Sequence, residues 1–131
     1  MKFSKSELRE VVKYLGTKYG FAGIAMFVRV RGRFFEIIFK TRKGEYVDVR
    51  SVRLITDVVT ALRENSVYAD YQYLVVRDPC LLEDERIPKW VGLIEFVPGM
   101  VVKRTSRVRA GNIPEEAFRK AAYNSILGSL L

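Results

Sequence analysis

The chain has 131 residues, 49% of them hydrophobic and 29% charged, which suits one ordinary folded domain over residues 1–131 and excludes a disordered tail or a small disulfide scaffold. It has no histidine and a single cysteine, Cys80, so His-based nucleophile activation, His-ligated zinc or haem, an internal disulfide and a Cys-cluster metal site are all excluded. Lys and Arg number 23 against 15 Asp and Glu, a net charge of +8 at pH 7; that surplus favours a polyanionic partner, nucleic acid ahead of an anionic membrane.

No run of about 18 apolar residues occurs, and Met1-Lys2-Phe3-Ser4-Lys5 lacks the apolar core of a secretory signal. The expectation is a soluble, intracellular protein, in the host cytoplasm if viral. Asn occurs three times and Gln once among abundant charges. That bias is the kind seen in hyperthermophile proteins, so the expected source is a hot archaeal cell or a virus growing in one. Cys80, with no histidine to activate it, reads as a buried or tolerated thiol rather than a nucleophile.

Ser4-Lys5-Ser6-Glu7 has the form of a capping box, and Leu8, Val11, Val12 and Leu15 follow at helical spacing, so residues 4–19 read as an amphipathic helix. Residues 23–31 turn β-branched and aromatic, Gly32 interrupts them, and 33–41 continue as a second strand, giving a tight hairpin. Within it, Phe27, Phe35 and Phe39 have the alternation of buried positions, and Arg29 and Arg31 share a face. After Lys43-Gly44, Tyr46 to Val49 form a short third strand. From Ser51 the spacing becomes helical, with Leu54, Ile55, Val58, Val59 and Leu62 on one face, and the helix ends near Asn65.

Residues 71–77 read as a central fourth strand, and 78–89, with two prolines and Glu83-Asp84-Glu85, as a surface loop. Trp90 to Phe96 and Met100 to Thr105 flank Pro98-Gly99 as a further hairpin. A last helix starts at Pro114 behind Asn112, with Glu115 and Glu116 at its positive end and Phe118, Ala122 and Ile126 toward the core. The fold class is therefore α/β, a mixed β-sheet flanked by helices, with an αβββαβ core and a C-terminal ββα unit.

That core order is similar to the restriction-endonuclease-like, or PD-(D/E)xK, superfamily, including archaeal Holliday-junction resolvases and small bacterial DNA-repair proteins. Gly32 to Lys40 resembles the strand that ends in the family's ExK motif. Thr41 to Val49 and the helix from Ser51 resemble the resolvase hairpin and crossover helix, and Tyr73 to Arg77 and Trp90-Val91-Gly92-Leu93 resemble segments of the repair branch. These nucleases hold a divalent ion between an Asp on one strand and the acid of ExK on the next, the Lys supporting the attacking water or the phosphate. The resemblance puts Met26 at the Asp position and Ile38 at the Lys position and leaves Glu36 alone. It thus implies a degenerate site, with no catalytic residue, no metal and a vestigial Glu36.

Should catalysis persist, the resemblance implies Mg²⁺ held by Glu36 with Glu7 or Glu10 from the first helix, and Lys40, about 13 Å along the strand from Glu36, as the basic group. Asp48, Asp57 and Asp70 read as turn, cap and surface residues.

Between Arg29 and Arg53 lie eight basic residues (Arg29, Arg31, Arg33, Lys40, Arg42, Lys43, Arg50, Arg53) against three acids. A second group, Lys103, Arg104, Arg107 and Arg109, has no acid within it. Together they read as a footprint for a phosphate backbone, DNA before RNA; no helix-turn-helix or finger supports base-edge recognition, so binding is expected to be shape- or backbone-driven. Leu127, Leu130 and Leu131 offer an apolar end that suits a homodimer. The rival readings are an assembly subunit with no nucleic-acid role, its charge solvated or ion-paired, and the divergent Mg²⁺-dependent nuclease.

Overall fold

The computed structural model describes residues 3–63, 67–96 and 99–130, without the side chains of 127–130. The apolar end at Leu127, Leu130 and Leu131, the helix end near Asn65 and the Pro98 turn position lie outside the described residues.

Ser4 caps α1 (Lys5–Tyr19) as its sequence predicts: its hydroxyl accepts from the Glu7 amide at 3.2 Å while the Glu7 carboxylate accepts from the Ser4 amide at 3.0 Å. Then follow β1 (Gly23–Val30), β2 (Arg33–Lys40), β3 (Tyr46–Val52), α2 (Ile55–Arg63), β4 (Tyr71–Val76), β5 (Gly92–Phe96), β6 (Met100–Arg104) and α3 (Glu115–Leu130). The fold is α/β. One six-stranded mixed sheet runs β1-β2-β3-β4-β5-β6, with β3, β4 and β5 parallel and the two outer hairpins antiparallel. The tight turn between β1 and β2 places both central residues at positive φ, Arg31 at 50° and Gly32 at 80°. That conformation matches the right-handed twist of the flanking strands.

α1 covers one face, where Val11 and Leu15 pack with Ile37, Phe39, Val47, Val49, Tyr73, Val75 and Ile94. The Tyr73 hydroxyl, buried there, meets the hydroxyls of Tyr14 at 3.1 Å and Tyr19 at 2.6 Å. α3 packs on the opposite face at the β1 end with Ala25, Val28, Val30, Phe35, Ile38, Tyr46 and Phe118. α2 covers the same face at the β4 end with Val52, Val58, Leu74, Val76 and Leu93. The cleft between these two clusters is where polar groups collect.

Several expectations are corrected. The third strand runs on through Ser51 and Val52, because these residues pair with Val75 and Val76 of β4. Leu54 and Val59 are exposed, so α2 buries a narrower stripe centred on Val58. Ile126 is 61% exposed and Ala121 takes its place in the core. The 78–89 loop winds through a 3-10 turn at Pro79–Glu83 and buries Leu81 and Ile87.

Phe27 is 51% exposed with φ at 53°. Strict alternation breaks at this point in both strands: Ala25 and Val28, and across from them Phe35 and Ile38, three residues apart, face the same side. Arg31 lies in the turn, outside β1, so it does not share a strand face with Arg29.

Candidate functional site

The twelve basic residues read as one footprint separate into three groups. Arg29, Arg31 and Arg33 surround the β1–β2 turn, and Arg50 and Arg53 lie at the end of β3 beside it. Lys40 ends β2, and Arg42 and Lys43 sit in the β2–β3 turn, at the other end of those strands, where the Arg42 side chain packs against Gly20. Lys103, Arg104, Arg107 and Arg109 belong to the β6 edge and the segment after it.

Many of these charges are taken by the fold. Lys40 pairs with Glu115 of α3 at 2.7 Å. Lys103 lies 3.8 Å from Glu95. Arg104 donates to the carbonyls of Val91 at 2.7 Å and Pro88 at 2.9 Å. The Arg109 guanidinium stacks 3.9 Å from the Trp90 ring and 4.7 Å from the Tyr68 ring, a cation–π contact that fastens the 105–114 segment to the sheet. Lys40, Arg104 and Arg109 are structural members, whereas Arg29, Arg31, Arg42, Lys43, Arg53, Lys103 and Arg107 are exposed.

Between the β1–β2 turn and α2 opens a cleft of about 290 Å³. Arg29, Gly32, Phe34 and Thr60 are exposed at its mouth, and Phe35, Asp48, Val67 and Gln72 form its buried interior. Arg29 and Arg50 each lie 5.9 Å from the Phe34 ring, and Arg50 also donates to the Phe34 carbonyl. Asp48 and Gln72 are register partners on the parallel strands β3 and β4, so both side chains project into the cleft side by side.

Burial pushes the Asp48 carboxyl up to about 6; Arg50 and Gln72 beside it work against that rise and Glu36 adds to it. Glu36 is also raised, by burial first, although the Ser51 hydroxyl donates to its two oxygens at 2.9 and 3.2 Å and the Ser51 amide donates at 3.3 Å.

The acids expected to join Glu36 do not. Glu7 pairs with Arg77 at the end of β4, which holds its carboxyl below the usual range, and with Glu10 it lines a shallow depression beside Phe96 and Met100. Lys40 is committed to α3. The residue that stands near Glu36 is instead Asp48, on the next strand, in the sequence Asp48-Val49-Arg50. Glu36 lies on β2, and Asp48 with Arg50 two residues on lies on β3. The sequence held that signal, a 12-residue spacing from Glu36 to Asp48 with a turn between, but a lone Asp in a strand of Val and Tyr reads as an ordinary polar position. Among the described residues no three of His, Cys, Asp or Glu are grouped to hold a metal ion. Asp48 and Glu36 with Arg50 therefore offer at most a two-carboxylate site.

Cys80 is exposed, and the adjoining Asp78 raises its thiol by hydrogen bonding and by charge, so it is not an activated nucleophile. Asp84 within the acidic loop is held at about 2, first by its hydrogen bond with Arg86. Among the described residues no helix is long and apolar enough to cross a membrane.

No protein-family profile matches the chain, and no curated protein matches it. Among solved structures, the chain is similar to a protein of unknown function from Silicibacter pomeroyi, with a TM-score of 0.62 and 14% identity over 99% of this chain and 89% of that one. At that identity the likeness shows a shared fold and nothing about chemistry.

Proposed function

We propose that the protein binds the phosphate backbone of nucleic acid, DNA in the first instance, on a nuclease-like scaffold, at the end of the sheet formed by the β1–β2 turn and the end of β3. The observation that carries this reading is the gathering of arginines from two separated stretches of chain: Arg29, Arg33 and Arg50 line one cleft, Arg50 and Arg53 line the depression next to it, and Arg31 stands in the adjoining turn. Guanidinium groups on a turn and a strand end reach outward and suit bidentate phosphate contact. The Lys40, Arg104 and Arg109 side chains are spent on internal contacts and leave the footprint.

The test is affinity for a mixed-sequence duplex measured against salt. Neutralising about four phosphates gives a log–log slope near −3.6. Reversing Arg29 and Arg53 to Glu lowers affinity and flattens the slope, whereas reversing Arg42 and Lys43 leaves both nearly unchanged. Absence of binding at about 50 mM salt overturns the proposal.

A second reading rests on the juxtaposition of Glu36 and Asp48. With one or two carboxylates a divalent ion of the Mg²⁺ type can be held, and such an ion supplies water activation and neutralises charge on a phosphodiester. In this reading Asp48 and Glu36 hold the ion and Arg50 stands where the resembling family has Lys. Arginine cannot serve as a proton donor or acceptor at neutral pH, so its role is limited to gripping the phosphate. Cleavage of DNA with Mg²⁺ or Mn²⁺ that Glu36→Gln and Asp48→Asn each abolish supports this reading. Its absence under both metals leaves backbone binding alone.

A further inference from the structure

The walls of the cleft contain more polar groups than the fold uses. Asp48 Oδ1, Gln72 Nε2 and Arg50 Nε are buried atoms with no hydrogen-bond partner. All three residues line the same cleft, and Asp48 and Gln72 are 4% and 7% exposed. Buried polar groups are nearly always satisfied, and leaving them unpaired is costly. Three such atoms on one wall point to a ligand that supplies the missing partners.

The chemistry of that wall is an acceptor beside a donor. The Asp48 carboxyl oxygen accepts, and the Gln72 amide nitrogen donates. Every nucleobase presents an adjacent donor and acceptor on its pairing edge, and in a duplex that edge is occupied. A phosphate is a poor occupant of the interior, because the Asp48 carboxylate would repel it. The aromatic rings of Phe34 and Tyr68 line the cleft and offer faces for stacking, and Arg29 stands exposed at the mouth. A volume of about 290 Å³ is at the low end of small-molecule sites, sized for one nucleoside and not two.

We propose that this cleft takes the base of one unpaired nucleotide, with Asp48 and Gln72 bonding its pairing edge, Phe34 and Tyr68 flanking its ring and Arg29 holding its phosphate. The proposal rests on the nucleic-acid reading above and specifies what that site selects: unpaired nucleotides over paired ones.

The test compares three labelled duplexes of one sequence: fully paired, carrying a single bulged base, and carrying an abasic sugar at the bulge. Affinities are measured at pH 7.5 and fixed salt for the wild type, Gln72→Leu and Asp48→Asn. The expected result is tighter wild-type binding to the bulged base than to the paired duplex by roughly tenfold, about the worth of one stacked and bonded base. The abasic bulge loses that gain. Both variants lose it too, and Gln72→Leu keeps the wild-type affinity and salt slope on the paired duplex. Gln72→Leu keeps the side-chain bulk and removes the amide donor, and its urea unfolding midpoint checks that it folds.

Equal binding to the three duplexes overturns the base pocket and leaves backbone binding standing. A bulge preference that survives at the abasic site also overturns it, since backbone shape then explains the effect. Failure to bind any duplex overturns the nucleic-acid reading itself. A nucleoside monophosphate offered alone separates the sources: Gln72-dependent binding of the free nucleotide without any bulge preference keeps the ligand chemistry and overturns its origin in a strand.

Discussion

Asp48→Asn should make the protein more stable at neutral pH. The Asp48 carboxyl titrates near 6 in the folded protein against 3.8 for the unperturbed group, chiefly because burial disfavours its charge. The folded state therefore binds this proton more tightly than the unfolded chain does, and stability falls as pH rises between the two values. A difference of about two units corresponds to about 3 kcal/mol once the group is ionised in both states, at 1.36 kcal/mol per unit. Between pH 7.5 and pH 5 the wild type should regain about 1.5 kcal/mol of this. Glu36 shifts in the same direction and reinforces the trend. Glu7, Asp57, Asp84 and Glu115 have lowered values, so the stability they contribute is lost only as pH falls below the normal carboxylate range.

Urea unfolding of wild type and Asp48→Asn at pH 7.5 and pH 5 checks the argument. The variant, nearly isosteric and neutral, should be more stable at pH 7.5 by up to about 3 kcal/mol and should show a smaller gain on acidification. Equal wild-type stabilities at the two pH values, or a variant no more stable at pH 7.5, would refute the claim that a buried carboxylate is carried at a cost. If the same substitution also removes the bulge preference, the site exchanges stability for selectivity.

Arg31→Asn should raise stability by about 0.5–1 kcal/mol in thermal or urea unfolding, because Asn tolerates the left-handed φ of 50° better than Arg, while removing one charge from the proposed interface and weakening duplex affinity. Gly92→Ala should cost about 1–3 kcal/mol or prevent folding. A Cβ there would lie 2.5 Å from the Tyr73 ring and 2.8 Å from the Ser106 backbone nitrogen, and hydrogen bonds to Tyr14 and Tyr19 keep the ring from moving aside. Arg109→Ala should lose about 1–2 kcal/mol through the Trp90 and Tyr68 stacks yet leave the salt slope of DNA binding unchanged. A lowered slope in that variant would return Arg109 to the interface.

Residue pattern alone determines the order of helices and strands here, because each element is encoded locally. The Ser4–Glu7 capping box, the Arg31-Gly32 turn, the run of β-formers at 71–77 and Pro114 ahead of α3 all act within a few residues of themselves. The α/β class and the mixed sheet follow from that order. Strict alternation fails at Phe27 and Glu36, because a positive φ in β1 and the matching break in β2 reset the faces of both strands.

The site is a different matter. Glu36, Asp48 and Gln72 come from three strands, and only strand register brings Asp48 beside Gln72 and into the field of Glu36. Which basic residues face outward was equally hidden, since Lys40 and Arg109 are captured by partners far away in the chain. Charge and burial act through space, so packing decided which groups are satisfied and which three were left waiting in the cleft.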